Sequence, residues 1–265
     1  MTVGFIGTGN MGGALAKAAA KTVACEDIFL YDRFTEKAQQ LSEELCCNCA
    51  DLHAVSQCDY IFLGVKPQMM AEMMAELSPM LSARNQDFVL VSMAAGVKIE
   101  KIQQMAGERC PVIRIMPNMP VSVGAGMIQY DVSKNVTDSQ IEGFCQCMQF
   151  AGVLDRIPED MIDAGTAVAS CGPAFAFLFI EALTQGGIAC GLPEEKAMLY
   201  AKQMLFGSAK LALESSSHPS QLREAVCSPG GSTIEGVKVF ENAGLRQITE
   251  KAVLASYHRN IELGK

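Results

Sequence analysis

Gly7, Gly9 and Gly12 follow directly on a short apolar run, Val3 to Ile6, and lead straight into a helix-forming run, Ala14 to Ala20. This placement constrains the chain path more than any other feature of the 265 residues. A strand that turns at once into a helix needs backbone freedom at the turn, and Gly7 supplies it. Gly9 carries no Cβ, so a pyrophosphate can approach the main chain there. Gly12 lets the helix pack close to the strand. G-x-G-x-x-G in a strand–turn–helix setting is the dinucleotide-binding fingerprint, with the free N–H groups of the helix start facing the phosphates. Ile6, Gly7, Thr8, Gly9, Asn10, Met11 and Gly12 are therefore candidate cofactor-binding residues.

Further along, apolar runs at 28–31, 58–65, 88–92 and 112–116 alternate with helical patterns at about 35–45, after Pro67, and at 99–105. Strand–helix alternation of this kind predicts a doubly wound parallel sheet of Rossmann type. A helix over 138–151 and a short strand near 153–156 close this half. After Pro158 strand patterning stops. Helical runs at 174–189, 194–214, 219–226, 233–242 and 245–263 follow, punctuated by Gly191-Leu192-Pro193 and Ser228-Pro229-Gly230-Gly231. The expected fold is thus α/β: a dinucleotide-binding domain over 1–158, then an all-α domain over 159–265. Phe175, Phe177, Leu178 and Phe179 crowd one helix nearly all round, which predicts a core or subunit-interface helix and suggests dimerisation.

Composition excludes several classes. The formal net charge is −8 and no Lys/Arg run occurs, so a nucleic-acid partner is not expected. The longest strictly apolar run of the second half, Ala174 to Ile180, ends at Glu181, too short a run to span a bilayer. The chain enters a core strand at once, so a signal peptide is not expected and a cytoplasmic location is. Eleven scattered cysteines fit reduced, mostly buried thiols. Cys46, Cys47, Cys49 and His53 match no closed zinc spacing, and no metal is expected.

In open parallel sheets, ligands bind beyond the carboxyl ends of the strands. Those ends read Asp32-Arg33, Gly64-Val65-Lys66-Pro67, Met93-Ala94-Ala95-Gly96 and, after Met116-Pro117, Asn118. All are candidate cofactor contacts. Asp32 stands where an acid takes the ribose hydroxyls of NAD. Arg33, with Lys37 a turn later, could instead hold the 2′-phosphate of NADP. Sequence leaves this choice open, with NADPH favoured and NADH accepted. Ser232 and Glu235 have the spacing of a capping box just after the Ser228–Gly231 turn, which would present a helix N-terminus to a small carboxylate.

Taken together, these motifs resemble the pyrroline-5-carboxylate reductase family. The resemblance runs through nearly the whole chain: Phe5 to Gly12, Val65-Lys66-Pro67, Ala94 to Val97, Arg114 to Pro120, Val123 to Gly126, Gly172 to Phe175, Gly191-Leu192-Pro193, His218-Pro219 and Ser228 to Ile234. Cys171, Phe175 and Gln185 depart from the usual pattern. The resemblance implies hydride transfer from NAD(P)H to the imine carbon of pyrroline-5-carboxylate, giving L-proline. It implies Thr233 at the ring nitrogen and Ser228, Gly230, Gly231, Ser232 and Thr233 around the substrate. It further implies homodimers, often in larger rings, with the substrate between one subunit's nicotinamide and helical residues of the same or the other subunit.

Two rival readings fare worse. A β-hydroxyacid dehydrogenase wants a Lys at the start of the helical domain, yet no Lys, Arg or His lies between Arg156 and Lys196. A nonenzymatic nucleotide sensor would carry a partner-binding tail or DNA-binding element, and none is visible.

Overall fold

The computed structural model describes residues 1–107 and 109–263; the last two positions of the expected helical domain, 264 and 265, lie outside the described residues. The first half alternates as expected: β1 (Val3–Ile6), α1 (Asn10–Ala19), β2 (Ile28–Tyr31), α2 (Thr35–Leu45), β3 (Asn48–Cys49), α3 (Leu52–Ser56), β4 (Tyr60–Leu63), α4 (Met70–Ser82), β5 (Val89–Ser92), α5 (Ile99–Ala106), β6 (Val112–Met116), β7 (Gly126–Val132), α6 (Asp138–Met148) and β8 (Gly152–Arg156). The α-helices of the second half follow: α7 (Ile162–Gly165), α8 (Gly172–Ala189), α9 (Glu194–Glu214), α10 (Pro219–Val226), α11 (Ser232–Asn242) and α12 (Leu245–Leu263), with a 3-10 turn at Glu159–Met161 and a π-helical turn at Thr166–Ser170 making one continuous helical stretch with α7 and α8.

The eight strands form one sheet in the order β3-β2-β1-β4-β5-β6-β7-β8. Its central strands are buried along their whole length and mostly apolar because helices cover both faces. Alternate residues point to opposite sides. Val3, Phe5, Phe62, Val91 and Ile113 join α1 and α6 in one core, whereas Ile6, Ile61, Leu63 and Leu90 join α3, α4 and α5 in the other. Phe5 and Phe62, both fully buried, stack with ring centroids 4.5 Å apart.

The expected doubly wound sheet is present and mostly parallel. The sheet is not wholly parallel, since β7 runs antiparallel to β6. Only the short turn Met119–Val123, closed by Gly124 at φ 73°, joins them. So brief a connection cannot hold the helical crossover that parallel neighbours need. β3 and α3 are both very short, and α3 was likewise not foreseen.

The chain divides into two compact units, Met1–Cys171 with the segment from Ser256 onward, and Gly172–Ala255. The boundary expected at 158/159 marks the end of the last strand. The first unit continues past it because charged groups tie the next turn to the sheet. Arg114, 1% exposed on β6, reaches Glu159 (3.1 Å) and Asp163 (3.5 Å). Glu159 also accepts from the Ile99 N–H at the start of α5, at 2.7 Å. Late in α12, Asn260 Nδ2 donates to the Asp163 carbonyl (3.4 Å).

Within the second unit, α8 runs against α9, and Phe179 meets Phe240 at 6.0 Å between ring centroids. Thr184 is the one buried residue of α8; Phe177 and Leu178 are 58% and 66% exposed. The helices of its own unit therefore leave part of this apolar helix uncovered. The continuous helical stretch Glu159–Ala189 is long and apolar enough to cross a membrane by length and composition, a possibility that the strictly apolar run alone had set aside.

All eleven cysteines are free thiols; three are buried, fewer than expected. Burial pushes the thiols of Cys58, Cys110 and Cys147 up to about 12, so these three stay protonated near neutral pH. Among the described residues no group of His, Cys, Asp and Glu could hold a metal; Cys46 is the left-handed residue (φ 53°) that ends α2 before β3.

The stacked pair at the centre of the sheet gives a stability test. Phe62→Ala should cost about 3–5 kcal/mol, read as a lowered guanidinium midpoint. A midpoint within experimental error of the parent would mean that this stack is not a packing centre.

Candidate functional site

The sheet reverses its strand order at β1, with β2 paired on one side and β4 on the other. Such a switch point leaves a crevice at the carboxyl ends of the strands, because the connections leave toward opposite faces. Here it is a cavity of about 540 Å³. It gathers eight of the expected cofactor residues: Ile6, Gly7, Gly9, Asp32, Arg33, Gly64, Val65 and Lys66. A second depression, about 380 Å³, shares Gly9 and Lys37 with it and adds Thr8, Asn10 and Lys17.

The backbone of the glycine loop is held tightly. Gly7 takes φ 93°, and its N–H donates to the Tyr31 carbonyl at 2.8 Å. A Cβ on Gly12 would come within 2.0 Å of the Gly7 carbonyl oxygen, so α1 can sit this close only with glycine there. Gly9 differs, since nothing lies within 4 Å of a Cβ built on it. It is also the N-cap of α1, with no side-chain cap. The first N–H groups of α1 are thus left for a ligand. Open space over a bare helix start, walled by backbone, fits the pyrophosphate of a dinucleotide.

Asp32 is more committed than its position suggested. Its Oδ2 accepts from Thr8 N (2.8 Å) and Thr8 Oγ1 (3.1 Å), and its Oδ1 accepts from Phe34 N (2.9 Å). A carboxylate offers about four acceptor sites, so little capacity remains for two ribose hydroxyls. Arg33 projects beside it, and Lys37 Nζ lies over the Phe34 ring at 5.2 Å. Tyr31, Phe34, Met69, Glu72, Met73 and Glu76 also line the cavity and were not foreseen. Glu72 and Glu76 are one helical turn apart just after Pro67, a spacing that could have flagged a shared face.

Other expected contacts lie apart from the cavity lining. Met93, Ala94, Ala95 and Gly96 follow β5 at the same sheet edge, but the Ala94 methyl is buried in the core. Asn118 spends its amide on the protein: Nδ2 donates to the Ala169 carbonyl and Oδ1 accepts from Met127 N, both at 2.9 Å. Met11 packs against the core on α1, and Pro67 opens the single turn that leads into α4.

The candidate substrate residues belong to the second compact unit. Ser228 to Gly231 form a tight turn closed by Gly231 N to the Ser228 carbonyl (3.0 Å), with Gly230 at φ 71°. The expected capping box is not there. Gly231, at φ −78° and ψ 168°, is the N-cap, and no side chain caps α11. Ser232 is already helical and cannot cap from inside the first turn. Glu235 instead pairs with Lys238 at 2.7 Å. The early N–H groups of α11 are therefore more open than a capping box would leave them, and Thr233 is exposed beside them.

Comparison with known proteins bears on both units. Residues 159–263 match the family model described as pyrroline-5-carboxylate reductase dimerisation, and residues 2–96 match that of NADP oxidoreductase, coenzyme F420-dependent. The chain is 35% identical to pyrroline-5-carboxylate reductase of Escherichia coli, covering 99% of this chain and 98% of that one. It is 36% identical to the Synechocystis protein of the same name, with the same coverage. Among solved structures, the pyrroline-5-carboxylate reductase of Coxiella burnetii superposes with TM-score 0.91 at 31% identity, over 100% of this chain and 98% of that one. The Plasmodium falciparum pyrroline carboxylate reductase with NADP bound superposes with TM-score 0.89 at 28% identity, with the same coverage.

Two glycines of the loop should fail in different ways. Gly9→Val should fold normally and lose cofactor binding, because its side chain enters the open space over α1. Gly12→Val should lose stability first, by about 3 kcal/mol or more, the upper end of the cost of an overpacked core, because its side chain meets fixed backbone. Melting curves and cofactor fluorescence titration separate the two; a folded Gly9→Val protein with parental affinity would remove the loop from the phosphate site.

Proposed function

The chain belongs to the pyrroline-5-carboxylate reductase family and reduces pyrroline-5-carboxylate to proline with NADPH; on that premise we propose how its residues share the work. The observation that supports the assignment best is full-length similarity joined to a cavity at the switch point of the sheet, lined by the glycine loop.

The bound cofactor supplies a hydride from C4 of its nicotinamide. The glycine loop and the start of α1 hold the pyrophosphate by backbone N–H groups. Lys66, exposed beyond the end of β4, reaches a ribose or phosphate oxygen. Arg33, supported by Lys37, takes the 2′-phosphate, and Asp32 serves chiefly to hold Thr8 and Phe34. NADH is accepted as the weaker cofactor. Met93 to Gly96 offer small residues and backbone to the nicotinamide ribose side, while Asn118 acts through the main chain it holds.

On the substrate, the Ser232 and Thr233 N–H groups at the start of α11 bind the carboxylate, with the Ser228–Gly231 turn shaping the approach. Thr233 Oγ1 faces the ring nitrogen. The imine carbon is a better electrophile once that nitrogen is protonated, and water can supply the proton, so no buried general acid is required. Hydride addition at carbon and the proton at nitrogen together complete the amine. The protein's contribution is then positioning and electrostatics.

Residues 159–263 form the dimerisation part, and a second copy of the chain, rather than a membrane, covers the apolar face of α8. We place the enzyme in the cytoplasm, where its eleven free thiols stay reduced. Dimers gathered into a ring complete the proposal. Sedimentation without detergent tests these points together: a stable species larger than a dimer supports the ring, and a mass that stays at the dimer removes it.

An assay at the nicotinamide absorbance with pyrroline-5-carboxylate tests the reading as a whole; no oxidation of NADPH would refute it. Arg33→Ala should weaken NADPH about tenfold or more, the scale of a hydrogen bond to a charged group, and change NADH far less. An equal loss for both cofactors would return the choice to Asp32.

Thr233→Ala should lower kcat/KM for pyrroline-5-carboxylate by about 10- to 150-fold, or about 1.5–3 kcal/mol. Thr233→Ser should recover much of it, and cofactor affinity should stay constant. Parental kcat/KM in Thr233→Ala would leave α11 as an ordinary uncapped helix start.

A further inference from the structure

Arg33 already has a partner. Its Nη1 lies 3.3 Å from Oε1 of Glu72, in the first turn of α4, and both residues line the cofactor cavity. The two side chains are 66% and 56% exposed, so packing locks neither of them. The backbone that carries Arg33 is locked. Asp32 accepts from Thr8 N on the glycine loop and from Phe34 N on the far side of Arg33, at 2.8 and 2.9 Å. The guanidinium therefore swings from a fixed base. Beside the carboxylate stands a second acid, Glu76, one turn further along α4 and lining the same cavity.

We propose that Glu72 is a specificity-determining residue, which holds Arg33 in the free enzyme and must release it to the 2′-phosphate of NADPH. The inference rests on the assignment of that phosphate to Arg33. A phosphate brought to Arg33 meets two unfavourable terms, the loss of the Arg33–Glu72 pair and repulsion from an acid within reach of the same guanidinium. NADH carries a hydroxyl at this position. It brings no charge, does not require Arg33, and can donate to a carboxylate. Glu72 thus weakens the phosphorylated cofactor selectively and narrows the margin by which NADPH is preferred over NADH. Because the pair is exposed, its effect is small and falls as salt rises.

The test is cofactor titration by fluorescence, with NADPH and NADH separately, on the parent, Glu72→Gln, Arg33→Ala and the double variant, at low and high salt. Glu72→Gln should tighten NADPH about two- to fivefold at low salt, the range of an exposed ion pair, with NADH unchanged. The gain should shrink at high salt, and it should be smaller when Arg33 is absent, where only the repulsion of the phosphate by Glu72 remains. Unaltered NADPH affinity, equal tightening of both cofactors, or a gain that survives intact in the Arg33→Ala background would each overturn the role of Glu72. If Arg33→Ala leaves the ratio of NADPH to NADH affinity at its parental value, the phosphate assignment itself fails, an outcome read independently of Glu72.

Discussion

A Cβ on Gly7 would lie 2.7 Å from the carbonyl oxygen of Gly64, and a Cβ on Gly64 would lie 2.7 Å from that of Gly7. The two strand ends pass each other with no room for side chains, and much of the active half follows from that contact. Because the main chains touch, Gly64 N can bond the Ile6 carbonyl at 2.7 Å. The loop can then turn sharply into α1, whose own approach requires Gly12. The crevice at the switch point is the space left above this junction. Its floor is backbone, which no rotamer change can close, and charged groups, Arg33, Lys66 and Glu72 among them, stand around the rim.

Much of this was legible in the sequence because it is local. The fingerprint, the buried strands and the five long helices of the second half are each written in one contiguous stretch. What escaped depends on partners far along the chain or on subtler local geometry. Gly126–Val132 lacks the bounded apolar run of the other strands, and its direction is set by a turn too short for a crossover. Asp32 has the spacing of a ribose ligand, yet its oxygens are taken by Thr8 and Phe34, a fact of three dimensions. Glu72 meets Arg33 across 39 positions. The capping box at Ser232 failed by one residue: the extended backbone belongs to Gly231, and a glycine has no side chain to cap with.

The buried charges of the first unit follow a different logic from those on the cavity rim. Arg114 is almost wholly buried, and it is offset by two carboxylates, Glu159 and Asp163. Removing one partner from such a group is costly, whereas an exposed pair such as Arg33 and Glu72 exchanges partners at little cost. The chain thus keeps strong electrostatics where the turn after β8 must be anchored, and weak electrostatics where a charged ligand must enter and leave.

The last feature concerns order in time. The segment from Ser256 onward belongs to the first compact unit, while the 84 residues from Gly172 to Ala255 form the second. Chains emerge from synthesis N-terminus first, and domains fold as they become available. The sheet can assemble early, but the stretch that bonds the Asp163 carbonyl through Asn260 arrives only after the entire helical unit has been made. The nucleotide-binding unit is in this sense the first begun and the last finished. A chain interrupted anywhere within the helices would lack a piece of both units, so incomplete products carry two defects at once and are open to quality control on either count.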